Sequence, residues 1–385
     1  MKALVNGKII TMSGVTIEKG VILIDGGKIT AVGKDLKVPE GAEVIDTAGK
    51  IIFPGMIDAH THLGIGEDGL GWEGRDYNEM TDPITPHLRA IDAINPLEDG
   101  IVNARKNGIT TVMTGPGSAN VIGGECIAIK TYGRVVDEML IKNPVGIKAA
   151  FGENPKRVYT DRKKLPTTRM GTAAVMRKAL MAAQDYMLEK ESKAGNNEPF
   201  KRDIKNESLV RVLKREIPLK THAHRADDIM TVLRIAKEFD INVTLEHCTE
   251  GHLIADKIFE TGTPAVVGPT LTGMTKVELK ERTFKTPGIL SRVGVKVALM
   301  SDHPVIPTEN LPIYAALSVK AGMDEEEALK AITINPAEIL GIDDRVGSIE
   351  EGKDADIVIF DGHPLDIKTN VVKVIINGEI VYKKQ

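Results

Sequence analysis

The chain has 385 residues, 42% hydrophobic and 27% charged, with a formal net charge of -4, enough for one large barrel plus a small accessory domain. No block of basic residues interleaves with aromatics, which argues against nucleic acid as a partner, and two cysteines (Cys126 and Cys248) exclude a disulfide framework or a cysteine-rich zinc site. No apolar run reaches membrane-spanning length and residues 1–7 lack the apolar core of a signal peptide, so the chain reads as soluble and cytoplasmic, with no membrane partner.

Residues 1–50 alternate short apolar runs with turn signals: Ala3-Leu4-Val5 before Asn6-Gly7, and Val21–Ile24 before Asp25-Gly26-Gly27. Such turns between such runs predict antiparallel hairpins. The C-terminus repeats the pattern at Asp356–Phe360, at Val371–Ile376 before Asn377-Gly378, and at Ile380–Tyr382. Two β segments at opposite ends predict one composite β-sandwich domain, built from residues 1–50 and 350–385. Residues 51–349 differ, because strand-like runs alternate there with helical patterns, the mark of βα units. Eight strands are expected, at 51–60, 109–114, 126–131, 145–150, 218–223, 242–247, 264–268 and 295–301. The predicted fold is therefore α/β, a (β/α)8 TIM barrel with a small sandwich. The third strand is the weakest, since 134–144 leaves little room for a helix after it. Residues 151–217 form a long interval with helical patterns at 172–193 and near 203–215, read as a helical insertion, either a lid over the site or a solvated decoration.

Side chains alternate along a strand, so His60 and His62 in Asp58-Ala59-His60-Thr61-His62 face one way and can share a metal ion. His222, His247 and His303 also fall at predicted strand ends, and His224 follows two residues after His222. In a barrel those ends build the active site. Asp302 adds a carboxylate where activated water needs a proton acceptor. Singly, each is an ordinary core, surface or turn residue; together they predict a metal centre.

At this point the sequence resembles the amidohydrolase superfamily of metal-dependent hydrolases, in its imidazolonepropionase-like branch. The resemblance is carried by Phe53–His62, Gly108–Val112, Thr221–His224, Glu246-His247, Ser301–His303, and Asn335-Pro336-Ala337 with Gly347–Asp356. It covers nearly the whole chain, except the 151–217 interval and Gly152–Arg157, which match no substrate signature. It implies His60, His62, His222, His247 and Asp302 as metal ligands. Binuclear members add a bridging fourth-strand lysine carboxylated by carbon dioxide, which implies Lys148, with Lys130 as the weaker rival. One or two divalent ions, zinc foremost, are the implied cofactors. The implied reaction is hydrolysis of a C–N bond in a small amide, cyclic amide or dipeptide-like substrate, with Asp302 moving the proton. His224 and His303 are candidates for stabilising the oxyanion, binding substrate, or supporting the ligands.

Substrate clues are thin. Arg75, Lys156, Arg157 and Arg169 lie where a guanidinium or ammonium could meet a substrate carboxylate. Tyr77, Tyr132 and Tyr159 are further candidate contacts. The glycines of Asn120–Gly124 lack the strand–GxGxxG–helix context of a dinucleotide site. Two rival readings stand. One is a mononuclear hydrolytic deaminase using His60, His62, His222 and Asp302, with His247 as helper and Lys148 unmodified. The other is a catalytically silent barrel scaffold. The small-molecule substrate is unnamed by the sequence, and homo-oligomer formation is left open.

Overall fold

Two sheets organise the computed structural model, which describes residues 1–385. The central sheet contains β1 (Met56–Thr61), β2 (Ile109–Thr114), β3 (Ile122–Lys130) and β4 (Leu140–Ala150). It continues through β5 (Leu219–Ala223), β6 (Val243–His247), β7 (Ala265–Val267) and β8 (Val297–Leu299), each paired with the next. β8 returns to β1, and the Asp302 N–H reaches the His60 carbonyl at 3.1 Å, which brings the ring nearly to closure. The eight-stranded barrel is as expected, with one departure. β3 runs antiparallel to both β2 and β4, and it begins at Ile122 rather than 126. A parallel neighbour needs a crossover of roughly a dozen or more residues. Only residues 131–139, with the four-residue helix Val136–Met139, separate β3 from β4, too few for a parallel crossover, so the two pair antiparallel. Ile122 consequently stands opposite Ala149 at the barrel mouth, while Lys130 is carried to the floor.

The second sheet takes strands Lys2–Ile10, Thr16–Asp25, Lys28–Gly33, Glu43–Asp46 and Ile51–Pro54 from the N-terminus. The C-terminus supplies Ile357–Phe360, Val371–Ile376 and Glu379–Lys383. The sheet encloses an isoleucine-rich core including Ile9, Ile22, Ile52, Ile357 and Ile375, as the terminal sandwich requires. One expected boundary moves. The run 51–60 is two strands, broken at Pro54-Gly55: Ile51–Pro54 pairs with Ile357–Phe360, and the barrel starts at Met56. A Cβ at Gly55 would lie 1.9 Å from Thr110 Oγ1, so only glycine lets the chain pass between the sheets here.

The 151–217 interval forms helices Glu153–Asp161, Arg169–Gly195 and Ile204–Leu213. The long helix buries Met176, Leu180 and Ala183 and packs against Ile204–Leu213 and the helix Ala226–Phe239. Met176 lines a small apolar cavity together with Phe151, Leu219 and Val232, so this helix clads the barrel wall instead of lidding its mouth. Thr168 caps it by accepting the Gly171 N–H at 2.9 Å. No helix is long and apolar enough to cross a membrane.

Candidate metal centre

The mouth gathers two groups of donors, His60–His62–Asp302 and His222–His224–His247, with the ligand atoms of each within 4.8 Å of one another. β1 supplies His60 and His62 by strand alternation. Their Nε2 atoms stand 3.5 and 3.3 Å from Asp302 Oδ1. β5 supplies His222, and His224 follows on its exit. Alternation predicts that neighbours Glu246 and His247 on β6 diverge, yet both face inward, because His247 has φ 71° and turns its ring into the mouth. Asp302 likewise has φ 56°. Left-handed backbone at a non-glycine residue costs about 1–3 kcal/mol, and here two site residues carry it.

The rings are aimed from behind. His60 Nδ1 bonds Glu246 Oε2 at 2.7 Å, His62 Nδ1 bonds the Gly115 carbonyl at 2.7 Å, and His247 Nδ1 bonds the Gly268 carbonyl at 2.9 Å. His224 Nδ1 meets Thr249 Oγ1 at 2.7 Å. Each contact fixes one ring nitrogen and leaves Nε2 for a ligand. His222 has no partner on either nitrogen, although it is buried. Burial drives His60 down to about 4, with Lys148 adding to the effect, and drives His222, His224 and His247 well below the usual imidazole range. These rings are therefore neutral at pH 7, with lone pairs available. Burial pushes the Asp302 carboxyl up, but the hydrogen bond and charge of His62 outweigh it and hold it below the usual range. Glu246 is also depressed: Lys220 and His60 overcome the cost of its burial.

Lys148 on β4 projects into the same space, 1% exposed, with Nζ 2.8 Å from His60 Nε2. Burial lowers its pKa despite the pull of Asp302 and Glu246. Its rival Lys130 is excluded. At the opposite end of the barrel its Nζ is held by Asp354 Oδ2 at 2.8 Å, Asp356 Oδ2 at 2.7 Å and Asn377 Oδ1 at 2.9 Å. The reversal of β3 is the reason.

The other expected residues separate. Tyr159 is corrected: it is fully buried, and its hydroxyl donates to Asn120 Oδ1 at 2.6 Å, so it is a core residue and not a substrate contact. Tyr132 follows β3 to the floor, under the Arg105 guanidinium. Arg169 is engaged by Asp228 at 3.0 Å. Arg75 and Arg157 are exposed and make no side-chain hydrogen bond within the chain. His303 is buried, but its Nε2 lies 3.5 Å from Glu98 and 3.8 Å from Asp68, and it joins neither donor group. Tyr77 stacks on His62 with centroids 5.2 Å apart.

Sequence reasoning missed several supporting groups. Glu246 appeared only as a neighbour of His247, and Lys220, which meets Glu246 Oε1 at 3.1 Å, was passed over. A lysine and a glutamate in the inward register of adjacent strands were the available signal. Asp58 accepts from Ser301 Oγ and from Thr308 Oγ1 at 2.6 Å, anchoring the turn that carries Asp302.

Comparison with known proteins agrees with this geometry. Residues 51–381 match the sequence profile of the amidohydrolase family. An amidohydrolase, tasK, of Hapsidospora irregularis is 31% identical over 387 residues, covering 93% of this chain; this chain spans only 39% of that protein's length. An imidazolonepropionase of Bacillus cereus is 26% identical, with 90% of this chain and 84% of that protein covered. Among solved structures, an amidohydrolase from Thermotoga maritima superposes with TM-score 0.97 at 45% identity over 100% of both chains. A prolidase complexed with N-methylphosphonate-L-proline shares the fold, at TM-score 0.64 and 20% identity over 100% of both chains.

Proposed function

The chain belongs to the amidohydrolase family, in its imidazolonepropionase-like branch, and from that premise we propose a metal-dependent hydrolase that cleaves a C–N bond of a small amide, cyclic amide or dipeptide-like substrate. The observation that carries this reading is the pair of donor groups, His60–His62–Asp302 and His222–His224–His247, flanking buried Lys148.

The residues fit divalent ions, because four of the donor rings are held neutral and both nitrogens of buried His222 lack any other partner. His60, His62 and Asp302 would hold one ion, and His222 and His247, with Lys148, a second. Imidazole and carboxylate suit zinc, as they suit manganese, iron or cobalt. A bound divalent ion supplies Lewis acidity, polarising the scissile carbonyl and making the attacking water acidic. Asp302 stays ionised and faces both β1 imidazoles, so it takes the proton from that water and returns it to the leaving nitrogen. Glu246 holds His60 in one tautomer, and Lys220 balances its charge. Burial favours neutral Lys148, and a neutral amine adds to carbon dioxide with loss of one proton, giving a carbamate whose single negative charge is shared by two oxygens. His224 keeps Nε2 free to meet substrate. His303, set against Glu98, acts as support for the loop after β1.

The test is elemental analysis of protein grown with zinc and bicarbonate, alongside hydrolysis assays on Asp302→Asn. Two ions per chain are expected, and the substitution should cut kcat by about 10³-fold or more while the fold persists. Undiminished turnover would sink the proton-shuttle role. The mononuclear deaminase is the second reading, since its ligand set of His60, His62, His222 and Asp302 is also present at the mouth. One ion per chain with release of ammonia would select it, with His247 as helper.

A further inference from the structure

The loop that follows β7 delivers a buried charge to the mouth that the steps above do not use. Glu278 sits in the short turn Val277–Leu279 and is 1% exposed. One oxygen is fixed, Oε2 accepting the Glu153 backbone N–H at 2.9 Å. The other, Oε1, has no hydrogen-bond partner. It faces His224 Nε2 at 3.7 Å, His222 Nε2 at 3.9 Å and Lys276 Nζ at 3.7 Å, all beyond hydrogen-bonding distance. His224 Nε2 is also buried and unpartnered.

The seat for this carboxylate is built by two segments. Gly152, just after β4, has φ 85°, and a Cβ there would come within 2.7 Å of Glu278 Oε2 and 3.2 Å of Asp228 Oδ2. A glycine therefore keeps the carboxylate in place. Lys276 Nζ at 3.7 Å balances part of this charge but makes no hydrogen bond, so the buried oxygen still lacks a donor, which is costly. Glu278 Oε1 lies within 4 Å of His222 and His224 but is not one of the three-donor group that these two form with His247. Two unpartnered acceptors 3.7 Å apart, an imidazole nitrogen and a carboxylate oxygen, suit a group that offers more than one N–H.

We infer that Glu278 and His224 Nε2 receive a protonated primary amino group of the substrate, next to the scissile C–N bond. The substrate class is then an aminoacyl compound with a free α-amine, such as an amino-acid amide or a dipeptide. This rests on the C–N hydrolase reading. It narrows that reading to substrates that bring their own cation to the site. Glu278 is a specificity residue and carries no proton in the reaction.

The experiment uses the zinc-loaded full chain and a panel of amino-acid amides and dipeptides, each beside its N-acetylated counterpart. The free amines should be preferred by about 100-fold in kcat/KM, because acetylation removes the charge and leaves Glu278 Oε1 without a hydrogen-bond donor. Glu278→Gln should bring that preference down to within about tenfold, through KM, with metal content per chain unchanged. Calorimetry with a 1-aminoalkylphosphonate and its N-acetyl form gives a readout without turnover: the wild type should bind the free amine, and the variant should lose the distinction. Equal use of free and acetylated substrates by the wild type overturns the inference even if Glu278→Gln does not fold. Loss of metal in the variant also overturns it, making Glu278 a ligand. Hydrolysis confined to C–N substrates without an amine removes the inference and leaves the hydrolase reading standing. No hydrolysis of any C–N substrate by the metal-loaded chain removes both.

Discussion

Replacing Lys130 with methionine separates the two buried lysines that the sequence left as rivals. Lys130 Nζ lies 2.8 Å from Asp354 and 2.7 Å from Asp356, whose side chains are each 3% exposed. Methionine fills the same space but leaves two buried carboxylates facing each other. Removing one partner of a buried ion pair costs about 3–5 kcal/mol. Arg345 and Lys28 still reach Asp354, at 2.8 and 2.6 Å, so the lower part of that range is expected. For a chain of 385 residues, an unfolding entropy of about 2.1 cal/mol/K per residue converts about 3–4 kcal/mol into a fall in Tm of about 4–5 °C. Differential scanning calorimetry reads the shift, and elemental analysis should find the metal content unchanged, because Lys130 is at the barrel floor. The loss should also narrow in acid. Burial raises the Asp356 carboxyl above its usual range even with Lys130 beside it. Without the lysine it rises further, so the folded variant binds a proton before the unfolded chain does. Stability is then regained as pH falls through the folded pKa and lost as pH rises through it. A Tm within about 1 °C of wild type, or loss of metal from the variant, would refute this account of the floor.

Tyr159→Phe distinguishes a core role from a substrate contact. It should cost about 1–2 kcal/mol, because buried Asn120 loses its 2.6 Å donor, and it should leave KM unchanged; a raised KM at unaltered stability would restore the substrate reading. The two thiols are buried and pushed up by burial to about 11 at Cys126 and about 12 at Cys248. At pH 8 no more than about one in a thousand is thiolate, so neither should react with a disulfide reagent until the chain unfolds. Because the folded thiols keep their protons where unfolded ones ionise, they also make stability fall as pH climbs from about 9 toward 11; fast labelling of the native protein would contradict this burial.

Local pattern settled much of this protein. The period-two spacing of His60 and His62 puts both on one side of the strand without any knowledge of the neighbours. Asn-Gly and Asp-Gly turns mark the terminal hairpins, and eight strand signals count out the barrel. The ligand candidates were legible because chemistry at strand ends repeats along the chain.

What the tertiary structure alone decided depends on contacts between distant residues or on single backbone angles. The direction of β3 shows in its antiparallel pairing on both sides, and that direction carries Lys130 to the floor, while Lys148 on β4 stays at the mouth. The bond from His60 to Glu246 joins residues 186 apart in sequence, a separation that no periodicity encodes. The positive φ at His247 and Asp302 overrides strand alternation, and surrounding packing is what holds such backbone in place. Glu278 carries no motif and becomes visible only when the loop after β7 folds over the glycine after β4 and buries one carboxylate oxygen without a donor.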